Sequence, residues 1–282
     1  MNAAMKSMVV AAPAKVNLFL HVTGRRADGY HTIESLFALV DLADVVTLDV
    51  RDDGAIVRAN DVAGVPLADD LALRAARALR LASGVPLGVT LAIDKRIPIG
   101  GGLGGGSSDA ASVLLALNRL WRLGLPRSEL ARIGATLGAD VPFFVGGDNA
   151  VARGIGEQLT AVSLPRIWLL LARPPVAVST AQIFAAPELT RSAPSAKIDV
   201  FSEGYGRNDL EAVAAARFPA VAAAIAALKS VSPHARMTGS GACVIAAFGN
   251  EREAQRARRA LPATIVGTVV RTLDRHPLAA FA

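Results

Sequence analysis

Pro98-Ile-Gly-Gly-Gly-Leu-Gly-Gly-Gly-Ser-Ser-Asp109 stands between a strand-like run, Leu87 to Ile93, and a strongly apolar helix pattern from Asp109 to Trp121. Six glycines fall within residues 98–106. Their conformational freedom lets the backbone turn tightly and aim several N–H groups at one point. The helix behind the loop adds its positive end and unpaired amides, with Ser107 or Ser108 available as N-cap. Strand, glycine nest and helix start together predict a cradle for phosphate oxygens. A Walker A loop would end in Gly-Lys-Ser/Thr, and no Lys follows these glycines. Gly100, Gly102 and Gly105 satisfy GxGxxG, but the acid that a dinucleotide site needs about twenty residues on is absent. Trp121 and Arg122, at the end of a helix, stand there instead.

The chain around this loop has 282 residues, enough for one large or two modest domains. Hydrophobic residues are 52% and charged residues 19%, with mean hydropathy +0.40, which excludes a disordered chain. The single Cys243 excludes an internal disulfide, and no Cys/His cluster has zinc-ligand spacing, so no metal site is predicted. The apolar stretch from Met8 is broken at Pro13 and followed by Lys15, unlike a signal peptide. No apolar run approaches the roughly 18–20 residues of a membrane span. A reducing compartment, the cytoplasm, is the expected location, without a membrane partner. Thirty Lys and Arg against 24 acids give +6 and a pI near 10.1. Only five of the basic residues are lysines. The densest patch, Glu251 to Arg259, puts Arg252, Arg256 and Arg259 on one helical face with acids between. It reads as a solvated helix face, so no nucleic-acid partner is expected. A basic surface still suits an anionic small substrate.

Outward from the loop, Val16–Thr23 reads as a strand and residues 32–50 as two more strand-like stretches. Asp52-Asp53-Gly54 predicts a hairpin turn. Asp69–Ala82 carries Leu71, Ala75, Ala78 and Leu79 at helical spacing. A second helix, about Ser128 to Leu137, stops at Gly138, and strand-like segments follow at 150–152, 158–162 and 167–172. The stretch from Ala185 to Arg207, rich in Pro, Ser, Gly and charge, predicts a mobile loop or domain connection. The remainder reads helix (209–216), helix (219–230), strand (243–248), helix (251–261), strand (265–273). This irregular mixture predicts an α+β fold rather than a doubly wound parallel sheet.

Five segments occur in a telling order: Pro13-Ala-Lys-Val-Asn17, Asp28-Gly-Tyr-His31, the glycine loop, Leu137-Gly-Ala-Asp-Val-Pro142 and Thr238-Gly-Ser-Gly-Ala-Cys243. On these the chain resembles the GHMP small-molecule kinases, from about Pro13 to the last strand. The resemblance implies a two-domain α+β kinase. Residues 1–162 would form an N-terminal domain like ribosomal protein S5 domain 2, and residues 163–282 a ferredoxin-like C-terminal domain. It implies transfer of the γ-phosphoryl group of ATP, with Mg2+, to an alcohol. Pro13-Ala-Lys-Val-Asn17 and Asp28-Gly-Tyr-His31 point to a branch whose small-molecule substrate is a cytidine diphosphate alcohol of the non-mevalonate route to isoprenoid precursors. A monomer or weak homodimer is expected.

By the same resemblance, Pro98, Ile99, Gly100, Gly101, Gly102, Leu103, Gly104, Gly105, Gly106, Ser107 and Ser108 would wrap the ATP phosphates. Asp140 would take the hydroxyl proton, although by itself it also reads as an N-cap for the segment starting at Val141. Lys15, costly near an apolar strand unless paired, would hold Asp140 ionised and stabilise charge on the transferring group. Asn17, Tyr30 and His31 would line the cytidine pocket, with Phe184 offering a second ring face. Gly239, Ser240 and Gly241 would approach the transferred phosphoryl group. Ser107, Ser108 or Asp140 could touch magnesium, but no carboxylate pair marks a dedicated cage. Two rivals remain: a kinase of the same family acting on mevalonate-type alcohols, homoserine or a sugar, and a non-catalytic nucleotide- or RNA-binding protein.

Overall fold

Two long neighbouring strands, β1 (Ser7–Arg25) and β2 (His31–Arg51), carry the architecture. They are seen in a computed structural model that describes residues 6–194 and 206–281. β1 pairs with β2 antiparallel along their length, with bulges between Pro13 and Lys15, Asn17 and Leu20, and Val22 and Gly24. The other edge of β2 is shared. β5 (Ala150–Arg153) occupies residues 35–37 and β4 (Gly88–Asp94) occupies residues 45–51. β6 (Gln158–Ala161) extends β5, and β3 (Ile56–Arg58) extends β4.

Two expectations are corrected here. Residues 32–50 form one strand rather than two. The turn at Asp52–Asp53 does not close a hairpin, because β3 leaves β2 and pairs with β4 in parallel. Both departures have the same cause, since β2 pairs along one edge with its sequence neighbour β1 and along the other with β4 and β5, which lie far away in sequence.

Successive side chains on β2 serve opposite cores. Phe37 and Leu39 join the core under α1 (Leu71–Ser83), α2 (Gly105–Leu120), α3 (Arg127–Ala135) and α4 (Val141–Gly146). Leu36, Ala38 and Val40 face the other way, against Leu169, Leu171, Ile245 and Val270 of a second sheet. That sheet comprises β7 (Trp168–Arg173), β8 (Arg236–Met237), β9 (Val244–Phe248) and β10 (Val266–Arg271) in the order β10-β7-β9-β8. Its outer face packs on α5 (Thr180–Phe184), α6 (Glu211–Arg217) and α7 (Pro219–Lys229), while α8 (Glu251–Ala260) lies between β9 and β10 in the chain. The all-antiparallel order and the β-α-β-β-α-β succession are ferredoxin-like. The mixed α+β class is as the sequence predicts, and the ferredoxin-like C-terminal part is as the resemblance implies. On α8 only Ala254 and Ala257 are buried, so Arg252, Arg256 and Arg259 lie on a solvated face. Of the expected mobile stretch 185–207, residues 195–205 lie outside the described residues. No helix among the described residues is long and apolar enough to cross a membrane.

Candidate active site

The glycine loop meets the second sheet, and its geometry explains its composition. Gly102 has φ 75°, and a Cβ there would stand 2.8 Å from the Thr238 carbonyl oxygen and 2.9 Å from that of Gly241. The loop therefore packs backbone to backbone against the 239–242 turn, tied by Cys243 N–H to the Gly101 carbonyl at 3.2 Å. Gly104, at φ 70°, lies where a side chain would press on Phe144 and the Lys15 stem. Lys15 N–H in turn donates to the Leu103 carbonyl at 3.0 Å.

α2 begins at Gly105, with Gly104 as its N-cap and no side-chain cap. This corrects the expectation that Ser107 or Ser108 caps the helix. Glycines 105 and 106 are themselves helical, so both serines lie in the first turn. The Ser108 hydroxyl is buried and donates to the Pro13 carbonyl at 2.6 Å, while Ser107 lines a cavity. The free amides at the helix start thus belong to the loop itself. Pro98 to Gly106 wall a cavity of about 310 Å³ with Asp69, Asp70, Lys95 and Asp109. Ser108 lines neither this cavity nor the larger one described next.

A neighbouring cavity of about 880 Å³ is lined by Lys15, Ser107 and Asp140, and by Tyr30, His31 and Phe184. Gly102, Gly104, Gly239 and Ser240 also border it. Lys15 Nζ lies 3.6 Å from Asp140 Oδ2, 2.6 Å from Asn17 Oδ1 and 4.8 Å from the centre of the Phe37 ring. The Lys15 side chain is 6% exposed and that of Asp140 31%. Asp140 precedes α4 but makes no side-chain cap bond, so its carboxylate is not consumed by the helix. Phe184 stacks on His31 with centroids 5.2 Å apart, and Tyr30 is 62% exposed at the rim.

Two assignments change. Asn17 is buried and does not line the cavity: its Oδ1 faces Lys15, its Nδ2 donates to Ser35 Oγ at 2.8 Å, and its N–H donates to Thr238 Oγ1. Asn17 lies between the bulges that interrupt β1, and its side chain bridges Lys15 and Ser35. Gly241 likewise borders no part of the larger cavity and packs its carbonyl against Gly102.

Residues that the sequence did not single out also reach the site. Arg25 and Thr180 line the larger cavity, Thr180 sharing a hydrogen bond with Ser240 at 2.6 Å. Lys95 is held between Asp44 and Asp109, 2.8 Å from the latter. Burial pushes the Asp109 carboxyl up to about 7 against the pull of Lys95, and its Oδ1 is buried without a hydrogen-bond partner among the described residues. Cys243 is buried and its thiol is pushed up to about 12 by desolvation, which suits a packing residue and not a nucleophile.

Residues 70–148 match the GHMP kinases N terminal domain and residues 191–267 the GHMP kinases C terminal domain. The chain belongs to the GHMP kinase family. Among GHMP kinases it is 55% identical, over 96% of this chain and 94% of the relative, to the 4-diphosphocytidyl-2-C-methyl-D-erythritol kinase of Cupriavidus metallidurans. The protein of that name from Thiobacillus denitrificans is 54% identical over 96% of this chain and 98% of the relative. The crystal structure of a 4-(cytidine 5'-diphospho)-2C-methyl-D-erythritol kinase superposes with TM-score 0.82 at 36% identity, over 94% of this chain and 99% of that one. A mevalonate kinase structure, 16% identical with TM-score 0.68, shares the GHMP kinase fold. As a GHMP kinase the protein is a small-molecule phosphotransferase, with ATP as co-substrate.

Proposed function

We propose that the protein transfers the γ-phosphoryl group of ATP to the 2-hydroxyl of 4-diphosphocytidyl-2-C-methyl-D-erythritol, giving the 2-phosphate and ADP in the non-mevalonate route to isoprenoid precursors. One observation carries this reading: a single cavity is bordered by the Lys15–Asp140 pair and the glycine loop, and also by the rings of Tyr30, His31 and Phe184. Asp140 accepts the proton of the attacking hydroxyl. Lys15, oriented by Asn17, pairs with Asp140 and faces the charge that develops on the transferring group. The amides of residues 98–106 hold the triphosphate, so catalysis is chiefly positioning and charge neutralisation. Arg25 offers a cation to the substrate's diphosphate, and Tyr30 and Phe184 offer faces to its cytosine.

Magnesium favours hard oxygen donors, and the cavity fits it. Ser107 and Asp140 both line the wall of the larger cavity, while Asp109 Oδ1, with no hydrogen-bond partner among the described residues, belongs to the smaller one. Ser107 and Asp140 would hold the ion together with phosphate oxygens, and it would neutralise charge on the triphosphate. The same reading divides the chain near residue 162, supported by the end of β6 at Ala161 and the start of β7 at Trp168. It has the protein act in the cytoplasm, as a monomer or weak homodimer without nucleic acid.

Phosphorus NMR of the protein with MgATP and 4-diphosphocytidyl-2-C-methyl-D-erythritol, against mevalonate, homoserine and galactose, tests the reaction. A new phosphomonoester signal with the cytidine compound alone is expected. ADP formed only with another alcohol would discard the substrate, and no transfer to any would leave a binding role.

A further inference from the structure

His31 opens β2 and lines the larger cavity with Tyr30 and Phe184, its ring stacked on that of Phe184. Arg191, far away in sequence, donates its Nε–H to His31 Nε2 at 2.8 Å. A guanidinium has donors and no acceptor, so the ring nitrogen must be the acceptor, which requires Nε2 to carry no proton. Burial, with Arg191 and Arg25 nearby, lowers the His31 pKa and favours the neutral ring. The proton of that neutral ring then resides on Nδ1, and no described residue is bonded to Nδ1. Arg191 is itself held firmly, its two Nη groups donating to the carbonyls of Phe184 (3.4 Å), Ala186 (2.6 Å), Pro187 (3.5 Å) and Leu189 (2.9 Å). One side chain therefore shapes the segment that follows α5 and at the same time fixes the ring against which Phe184 stacks.

We propose that Arg191 is a positioning residue for pyrimidine choice: by occupying His31 Nε2 it leaves Nδ1–H as the one hydrogen-bonding function the ring can offer a base, and that donor selects cytosine over uracil. The inference rests on the reading that the cavity takes a cytidine diphosphate alcohol. Cytosine N3 is an acceptor flanked by O2 and the N4 amino group, whereas uracil N3 carries a hydrogen. A fixed donor at ring position 3 bonds to cytosine and meets uracil donor to donor, leaving a desolvated group unpaired. Mispairing of this kind discriminates far more strongly than a missing methyl group does. Without Arg191 the imidazole is free to exchange its proton between nitrogens and to present an acceptor instead, which erases the preference.

The test measures CDP and UDP binding by calorimetry, without turnover, for the wild type, Arg191→Met and Arg191→Lys. It is accompanied by 15N NMR of the His31 ring in the wild type and by steady-state kinetics. The wild type should bind CDP at least about tenfold more tightly than UDP, with the 15N spectrum reporting Nδ1–H. Arg191→Met should bring the ratio close to one and raise KM for the cytidine substrate more than it lowers kcat, and Arg191→Lys should restore part of the preference. A wild type indifferent to the base, a spectrum reporting Nε2–H, or a CDP/UDP ratio unchanged in Arg191→Met would each overturn the proposal. If Arg191→Met does not fold, the wild-type ratio and spectrum still decide. A wild type that prefers CDP yet transfers no phosphoryl group would count against the reaction and for the selectivity.

Discussion

Lys15 Nζ sits 2.6 Å from Asn17 Oδ1 and 3.6 Å from Asp140 Oδ2, so the buried ammonium is held by a neutral amide and shared with a half-exposed carboxylate. The amide fixes the cation without neutralising it. In the proposed reaction Asp140 then faces the cavity as the base, and Lys15 retains charge for the phosphoryl group.

Replacing Asp140 with Asn separates chemistry from binding. General-base loss of this kind typically lowers turnover by about 10²–10⁴-fold. Nucleotide affinity should persist, because the loop amides proposed to hold the triphosphate are untouched. Turnover equal to wild type, measured by coupled ADP release, would remove Asp140 from its assigned role.

Asn17→Leu keeps the volume and deletes the acceptor of Lys15. The buried ammonium and Ser35 then lose a partner, at a cost of about 1–3 kcal/mol each if uncompensated. A lower melting temperature is expected, with kcat falling more than the KM for ATP. A loss confined to the KM of the cytidine substrate would instead return Asn17 to the pocket wall.

Gly102→Ala forces a side chain into the left-handed region and onto two carbonyl oxygens. The strain and the displaced contact together should cost about 2–4 kcal/mol. Because the contact joins the loop to the 239–242 turn, ATP affinity and thermal stability should fall together. Gly84→Ala provides the control: its φ is also positive, at 68°, but nothing lies within 4 Å of the added Cβ. It should lower stability without weakening ATP binding.

The Asp109 carboxyl titrates at about 7 in the folded protein and near 3.8 in an unfolded chain. Between these values the folded state binds more protons, so raising the pH favours unfolding. Denaturant melts should show stability contributed by this group being lost from about pH 4 to pH 7. Asp109→Asn should flatten that slope while retaining an acceptor for Lys95. An unchanged pH slope in the variant would show that Asp109 is ionised throughout.

The glycine loop stands out in the sequence by its residues, since few other segments leave so many positions without a Cβ, whereas Lys15 and Asp140 are picked out only by the family resemblance, because a lysine near an apolar strand and an acid before a helix each have a plain structural reading. The α+β class follows from local periodicity. What the sequence hides is partnership at a distance. Asn17 reads as a pocket residue until the β1 bulges are seen to turn it toward Lys15. Arg191 reads as one more charge in a polar stretch until its guanidinium reaches His31, and Thr180 gains meaning only beside Ser240. The length of β2 is likewise invisible locally, since β1, β4 and β5 extend it from outside.

Leu36, Ala38 and Val40 alternate with Phe37 and Leu39 along one strand, so the two halves of the molecule own opposite sides of the same backbone. Neither half can melt without wetting the other's interior. The protein should therefore unfold in a single calorimetric transition, and a fragment ending near residue 162 would carry a bare apolar sheet face and self-associate. The GHMP kinase architecture is in this sense modular in its description but indivisible in its thermodynamics.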